Sequence, residues 1–172
     1  MKKMNWIKSA LVTMTIAAVP VMFAATDTAT TTLGVTVAPE ASITVNTSPT
    51  LSKGGTEFEA YTGNTTLTYS VRTLQSGGSG TITAQVTTAF SGTGAPTTAD
   101  LSYTAATTGV GTANGTPTTA SASTGTNVIT FGADAHSSDS GDSATISWTL
   151  ADRPAYKTGT YSTVVTLTIT AI

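Results

Sequence analysis

Cysteine is absent from this chain, which excludes disulfide staples, thiol nucleophiles and cysteine-ligated metal centres at once. Whatever stability the fold has must come from backbone pairing and packing. Charge is scarce as well: Asp, Glu, Lys and Arg together make up 9% of the residues, and there is one histidine, His136. A Ser-His-Asp arrangement could be built only around that residue. It lies in Ala133-Asp134-Ala135-His136-Ser137-Ser138-Asp139, a polar run with neither a nucleophile turn nor an oxyanion motif. We therefore expect an exposed loop histidine and no enzymatic activity. Aromatic residues are few, at 6%, and beyond residue 25 no stretch combines helical periodicity with helix-forming side chains.

Residues 1–25 read as a secretory signal peptide. Lys2, Lys3 and Lys8 precede an apolar run from Ala10 to Val19, followed by Pro20 and a small-residue exit at Ala24 and Ala25. The run is too short for a comfortable membrane span. The expectation is an exported protein, secreted or held at the cell surface, with no membrane span after cleavage. Removing this segment changes the charge. Four cations remain, Lys53, Arg72, Arg153 and Lys157, against nine carboxylates, a formal charge of −5. Such a surface does not attract nucleic acid or an anionic membrane. The remaining roughly 147 residues suit one domain that buries about two-thirds of its unfolded surface.

What the chain does have is threonine, serine, alanine and glycine, with apolar side chains at alternate positions. The clearest sets are Leu67, Tyr69 and Val71; Ile82, Ala84, Val86 and Phe90; Leu101, Tyr103 and Ala105; Ala144, Ile146, Trp148 and Leu150; and Tyr161, Val165, Leu167, Ile169 and Ala171. A period of two marks strands with one buried face, so the fold class is all-β. Many short strands between polar turns predict an immunoglobulin-like antiparallel β-sandwich over residues 39–172. In detail, 57–61 reads as a short strand with Phe58 and Ala60 on one side. Segments 65–73 and 81–90 read as an antiparallel hairpin across a Gly/Ser turn. The stretch 106–125, with almost no apolar weight, reads as a long mobile surface loop carrying at most a weak hairpin of its own.

The start of the exported chain, residues 26–38, holds the functional question. Leu33, Val35 and Val37 alternate, Pro39 and Glu40 interrupt, and Ala41, Ile43 and Val45 resume the pattern. Proline cannot donate to a β-ladder, so it marks the end of one extended segment and the start of another. Each triplet needs a sheet or groove to cover it. Three readings stay open for the first: it pairs with its own domain as an ordinary first strand, it is donated to another molecule, or it is disordered. Gly34 weakens an isolated strand and favours a segment that orders on insertion.

The order of these motifs resembles that of secreted spore-coat-U-like and archaic chaperone-usher pilin subunits. The residues that carry the likeness are the leading Thr/Val strand, Leu67-Thr68-Tyr69-Ser70-Val71, the Leu101-Ser102-Tyr103 step and the closing run from Gly159-Thr160-Tyr161 to Ile169-Thr170. It spans most of the exported chain, without the cysteines near the first strand and with Ala171-Ile172 where that family commonly ends in an aromatic residue. The resemblance implies a structural subunit of a surface fibre or coat whose sandwich lacks one strand. The gap would be filled by the leading segment of a neighbour, with Leu33, Val35 and Val37 as the groove-filling side chains. The partner would then be the chain itself, head to tail, with a periplasmic chaperone and an outer-membrane usher as accessory partners.

Other signals are weaker. Asp134, Asp139 and Asp142 gather near Gly141 and form a calcium candidate, although their spacing fails the EF-hand pattern; a solvated acidic loop is the plainer reading, and no cofactor is expected. Glu57 and Glu59 share a face of their expected strand, as paired catalytic carboxylates do, yet two glutamates at an exposed edge also deter unwanted pairing. Asn46, Asn64 and Asn114 begin Asn-X-Ser/Thr triplets, which a threonine-rich chain produces by chance. Trp148, Tyr69, Tyr103 and Tyr161 would make a sugar platform if exposed, but their parity assigns them to the core. The rival function is a monomeric extracellular module that binds carbohydrate or a surface protein through loop 91–100 or 106–125.

Overall fold

The computed structural model describes residues 27–172, so the expected signal peptide, residues 1–25, and residue 26 of the leading segment lie outside the described residues. The folded body spans Thr36–Ile172. Its strands are β1 (Glu40–Val45), β2 (Tyr61–Arg72), β3 (Gly80–Thr88), β4 (Leu101–Thr107), β5 (Thr112–Ala113), β6 (Thr118–Thr119), β7 (Thr126–Phe131), β8 (Asp142–Leu150) and β9 (Val164–Ala171). One short 3-10 turn, Thr98–Asp100, leads into β4. All pairings are antiparallel, in one sheet of order β1-β2-β8-β4-β6 and a second of order β5-β7-β3-β9. The chain is all-β and sandwich-like, as the alternation predicts.

The period of two places the core. Leu67, Tyr69 and Val71 of β2, Leu101, Tyr103 and Ala105 of β4, and Ala144, Ile146, Trp148 and Leu150 of β8 point from the first sheet into the interior. Ile82, Ala84 and Val86 of β3 and Val128, Ile129 and Phe131 of β7 meet them from the second. Tyr69 packs on Phe131 with ring centroids 5.5 Å apart, and Tyr103 on Trp148 at 5.2 Å. Such tilted pairs add about 0.5–1.5 kcal/mol each beyond area burial. Their polar tips are satisfied. Tyr69 Oη donates to the Val110 carbonyl at 2.6 Å, Tyr103 Oη to the Asn127 carbonyl at 2.9 Å, and Trp148 Nε1 to Thr65 Oγ1 at 2.9 Å.

Three expectations are corrected. First, 65–73 and 81–90 do not pair as a hairpin: β2 and β3 belong to different sheets, and the connection between them crosses the sandwich. Thr73 holds the crossing in place, donating its hydroxyl to the Gly132 carbonyl at 2.8 Å while accepting the Ala135 N–H at 2.9 Å. Second, 57–61 is not a strand. It is a turn, with Phe58 at φ 56 and the Glu59 N–H on the Thr56 carbonyl, and pairing resumes only at Tyr61. Glu57 and Glu59 thus share no strand face. Third, 106–125 is no free loop. It carries β5 to the second sheet and β6 back to the first, with Ala120 buried. Asn114 ties it together, its side chain donating to Thr118 Oγ1 at 2.6 Å and accepting from Thr116 Oγ1 at 2.8 Å.

Candidate functional site

The two long edge strands, β1 of the first sheet and β9 of the second, lie next to one another without forming a ladder. Register fixes which of their side chains face inward. Ile43 stands opposite buried Tyr69 and Val45 opposite buried Leu67, and Ile169 stands opposite buried Ile82 and Leu167 opposite buried Ala84. Tyr61, Phe90, Val110 and Ala113 at the margins are half-buried, but the inward positions at the centre of the sandwich are closed to solvent. Along this seam they are not: Val45 is 47% exposed, and Ile43, Val165, Leu167, Ile169 and Ala171 are only half-buried. An uncovered apolar stripe of two strands calls for something to cover it.

The backbone of β9 is open along the same line. Ile172 exchanges both hydrogen bonds with Ser79, at 2.8 and 3.2 Å, and the register continues without a shift from Gly80↔Ala171 to Val86↔Val165. In an antiparallel ladder, double-bonded and non-bonded pairs alternate. Ala171, Ile169, Leu167 and Val165 are therefore the non-bonded positions, and their N–H and C=O groups point to the free edge. The side chains that face the core and the backbone groups that seek partners belong to the same four residues. β9 also lacks the devices that normally blunt an edge, having no charge and no proline between Val164 and Ala171.

At the end where β9 begins, the seam widens into a cavity of about 180 Å3 lined by Val45, Leu51, Trp148, Val165 and Leu167. It opens toward a larger surface cleft of about 820 Å3 bounded by Phe58, Tyr61, Phe90, Tyr156 and Tyr161. Gly63 helps the floor form: a Cβ there would come within 2.8 Å of Leu51 Cδ2 and 3.0 Å of Pro49 Cβ, so a larger residue would push segment 49–51 away from β2. The cleft wall is pinned by Asp100. Its carboxylate accepts from Arg153, from Tyr156 Oη and from Thr97 Oγ1 at 2.7 Å, and the Arg153 guanidinium, followed by the two hydroxyls, holds it well below the usual carboxylate range. Lys53 pairs with Asp152 at 3.0 Å on the same side.

The leading segment stands as follows. Residues 27–39 contain no strand; β1 starts at Glu40, directly after Pro39. Leu33 is 91% exposed, Val35 88% and Val37 59%. Arg72, at the opposite end of the sandwich from the cleft, donates through Nε to the Ala38 carbonyl at 2.9 Å and pairs with Glu40 at 2.6 Å. That clamp fixes where the chain enters the domain.

The remaining candidates fall apart as sites. Asp142 is turned inward, accepting the Val110 N–H at 2.8 Å and the Ser138 N–H at 3.2 Å. Burial pushes its carboxyl up, but these donors together outweigh that and hold it below its usual range. Asp134 and Asp139 are exposed, and no group of three metal-ligating side chains occurs among the described residues. His136 is exposed, with Nδ1 2.9 Å from the Asp134 carbonyl. Trp148, Tyr69 and Tyr103 are core residues; Tyr161 is half-buried at the cleft. Asn46 and Asn64 are exposed, Asn64 in the middle of β2. No helix among the described residues is long and apolar enough to cross a membrane.

These features define an all-β chain of two antiparallel sheets with one unsealed seam. No family model, curated protein or solved structure matches the chain.

Proposed function

We propose that this protein is an exported structural subunit with an incomplete immunoglobulin-like sandwich, which assembles into a surface fibre or coat by donating residues 26–38 of one copy to the β1/β9 seam of the next. One observation carries the reading. The residues of β9 with unpaired backbone groups, Val165, Leu167, Ile169 and Ala171, are also those whose apolar side chains are left half-covered, and a strand with apolar alternation is the shape that satisfies both. Leu33, Val35 and Val37 supply that alternation and are themselves exposed. Burying them is worth about 1.5–3 kcal/mol each, and the new ladder adds about 0.5–1.5 kcal/mol per hydrogen bond.

Chain direction favours donation over self-pairing. β1 leaves the Arg72 end and runs toward the cleft, whereas β9 runs from the cleft to the Arg72 end. A segment folded back over its own seam would reverse at Ala38-Pro39 and lie parallel to β9. A segment from another copy is free to run antiparallel, the slightly more stable arrangement. The contact is head-to-tail and does not close on itself, so it propagates. A periplasmic chaperone and an outer-membrane usher would serve to hold the seam before assembly.

The test is electrophoresis of unboiled exported chain in denaturing detergent. A ladder of oligomers that Val35→Asp abolishes is the expected result. A monomer whose compactness and heat resistance are unaffected by deletion of residues 26–37 contradicts the proposal and leaves the monomeric binding module, with the 820 Å3 cleft as its binding surface.

A further inference from the structure

Resting on the donation reading, we propose that the cleft at the start of β9 seats the Glu40 end of the donor copy, with the donor's acidic loop 134–139 toward Lys157. The argument begins with reach. Only Ala38 and Pro39 separate Val37 from Glu40, and three residue steps span at most about 10 Å. Wherever the donated Val37 lies, the donor's own domain follows at once. If the segment runs antiparallel to β9, its last residues lie beside Val165, the cavity against Trp148 receives Val37, and the donor's Glu40 end is set down on the cleft. Shape agrees: the cavity of about 180 Å3 is at that end of the seam and continuous with the cleft through Pro49, Leu51 and Thr163.

Charge agrees as well. Three of the four cations that follow residue 25, Lys53, Arg153 and Lys157, are at the cleft end, beside Asp100, Asp152 and the exposed Glu57 and Glu59, a formal charge of −1 there against −3 at the opposite end. Lys53 and Arg153 are engaged by Asp152 and Asp100, and no ion pair among the described residues involves Lys157. The opposite end holds Glu40, Asp134, Asp139 and Asp142 against Arg72 alone. Of these, Asp134 and Asp139 are exposed and without a cation. Stacked end to end in this polarity, an unpaired lysine meets unpaired carboxylates. In the parallel polarity the two more acidic ends approach one another, with Lys157 on neither, which opposes association more strongly.

Native cysteine is absent, so engineered pairs report without background. Thr36, Thr166 and Thr170 all point to solvent, and replacing them leaves the apolar contacts alone. The exported chain with Thr36→Cys and Thr166→Cys is expected to give a covalent ladder on oxidation, and the chain with Thr36→Cys and Thr170→Cys is not, because about 13 Å of strand separates the two positions. Lys157→Glu is expected to weaken assembly about tenfold, with Asp139→Lys in the same chain restoring it. A covalent ladder through Thr170, or none from either pair while the unboiled ladder persists, overturns the polarity but leaves donation standing. A Thr166 ladder whose stability ignores Lys157→Glu overturns the seating of the acidic end. Absence of any unboiled ladder from the unaltered chain removes donation itself, and this inference with it.

Discussion

The three donor side chains differ in how much surface each has left to bury, and that ranks them. Leu33→Ala removes three carbons from a residue 91% exposed, Val35→Ala two from one 88% exposed, and Val37→Ala two from one 59% exposed. At about 0.8 kcal/mol per buried carbon, scaled by exposure, the losses are about 2.2, 1.4 and 0.9 kcal/mol. These correspond to roughly 40-, 10- and 5-fold weaker binding. Dissociation on dilution of the chain from residue 26, compared between the parent and each substituted chain, measures this directly. The readout is built in. An acceptor that begins at residue 26 lacks Trp6, so Trp148, which lines the seam cavity, is its one indole. The reasoning fails if the three substituted chains dissociate within twofold of each other, if Val37→Ala is the most damaging, or if the Val35→Asp chain assembles like the parent.

Two further predictions concern the frame that holds the seam open. Thr65→Val leaves the buried Trp148 N–H without its acceptor, so the unfolding free energy in urea should fall by about 1–3 kcal/mol; an unchanged midpoint would mean that the indole finds another partner. Asp100 gives a pH dependence of definite sign. Its carboxyl titrates lower in the folded than in the unfolded chain because Arg153, Tyr156 and Thr97 all donate to it. Its stabilisation is therefore complete above the unfolded value near 4 and is lost as pH falls below that. Thermal midpoints between about pH 7 and pH 2 should decline less steeply for Asp100→Asn, which starts from a lower plateau; parallel curves for the two proteins would contradict this.

Most strand positions were legible because a buried face leaves a period of two, and Leu67, Ile82, Tyr103, Ile146 and Ile169 all face inward as that period requires. Sheet membership was not legible. β2 and β3 alternate just as hairpin partners do, and the crossing between sheets is fixed by long-range ties, Thr73 to Gly132 and Ala135 and the Leu74 backbone to Asp134 and Ile172. Phe58 was misread for a local reason: its apolar character suits a strand, but the turn places it at positive φ, where a bulky residue seldom sits. The stretch 106–125 looked structureless because its order comes from hydrogen bonds of small polar residues such as Asn114 and not from apolar weight. The seam itself carries no sequence mark. Val165 and Leu167 alternate like any core strand, and their exposure appears only once β9 is seen to have a neighbour on one side.

Amide hydrogen exchange of Val165, Leu167, Ile169 and Ala171, followed at single-residue resolution in the chain from residue 26 and in the same chain bearing Val35→Asp, tests the central claim most directly. Strand donation predicts that these four amides exchange slowly in the first and at least a hundredfold faster in the second, while Thr166 and Thr168, already bonded to β3, stay protected in both. Equal rates at the four positions in the two proteins would mean that no strand closes the edge of β9, and the account of assembly would fall.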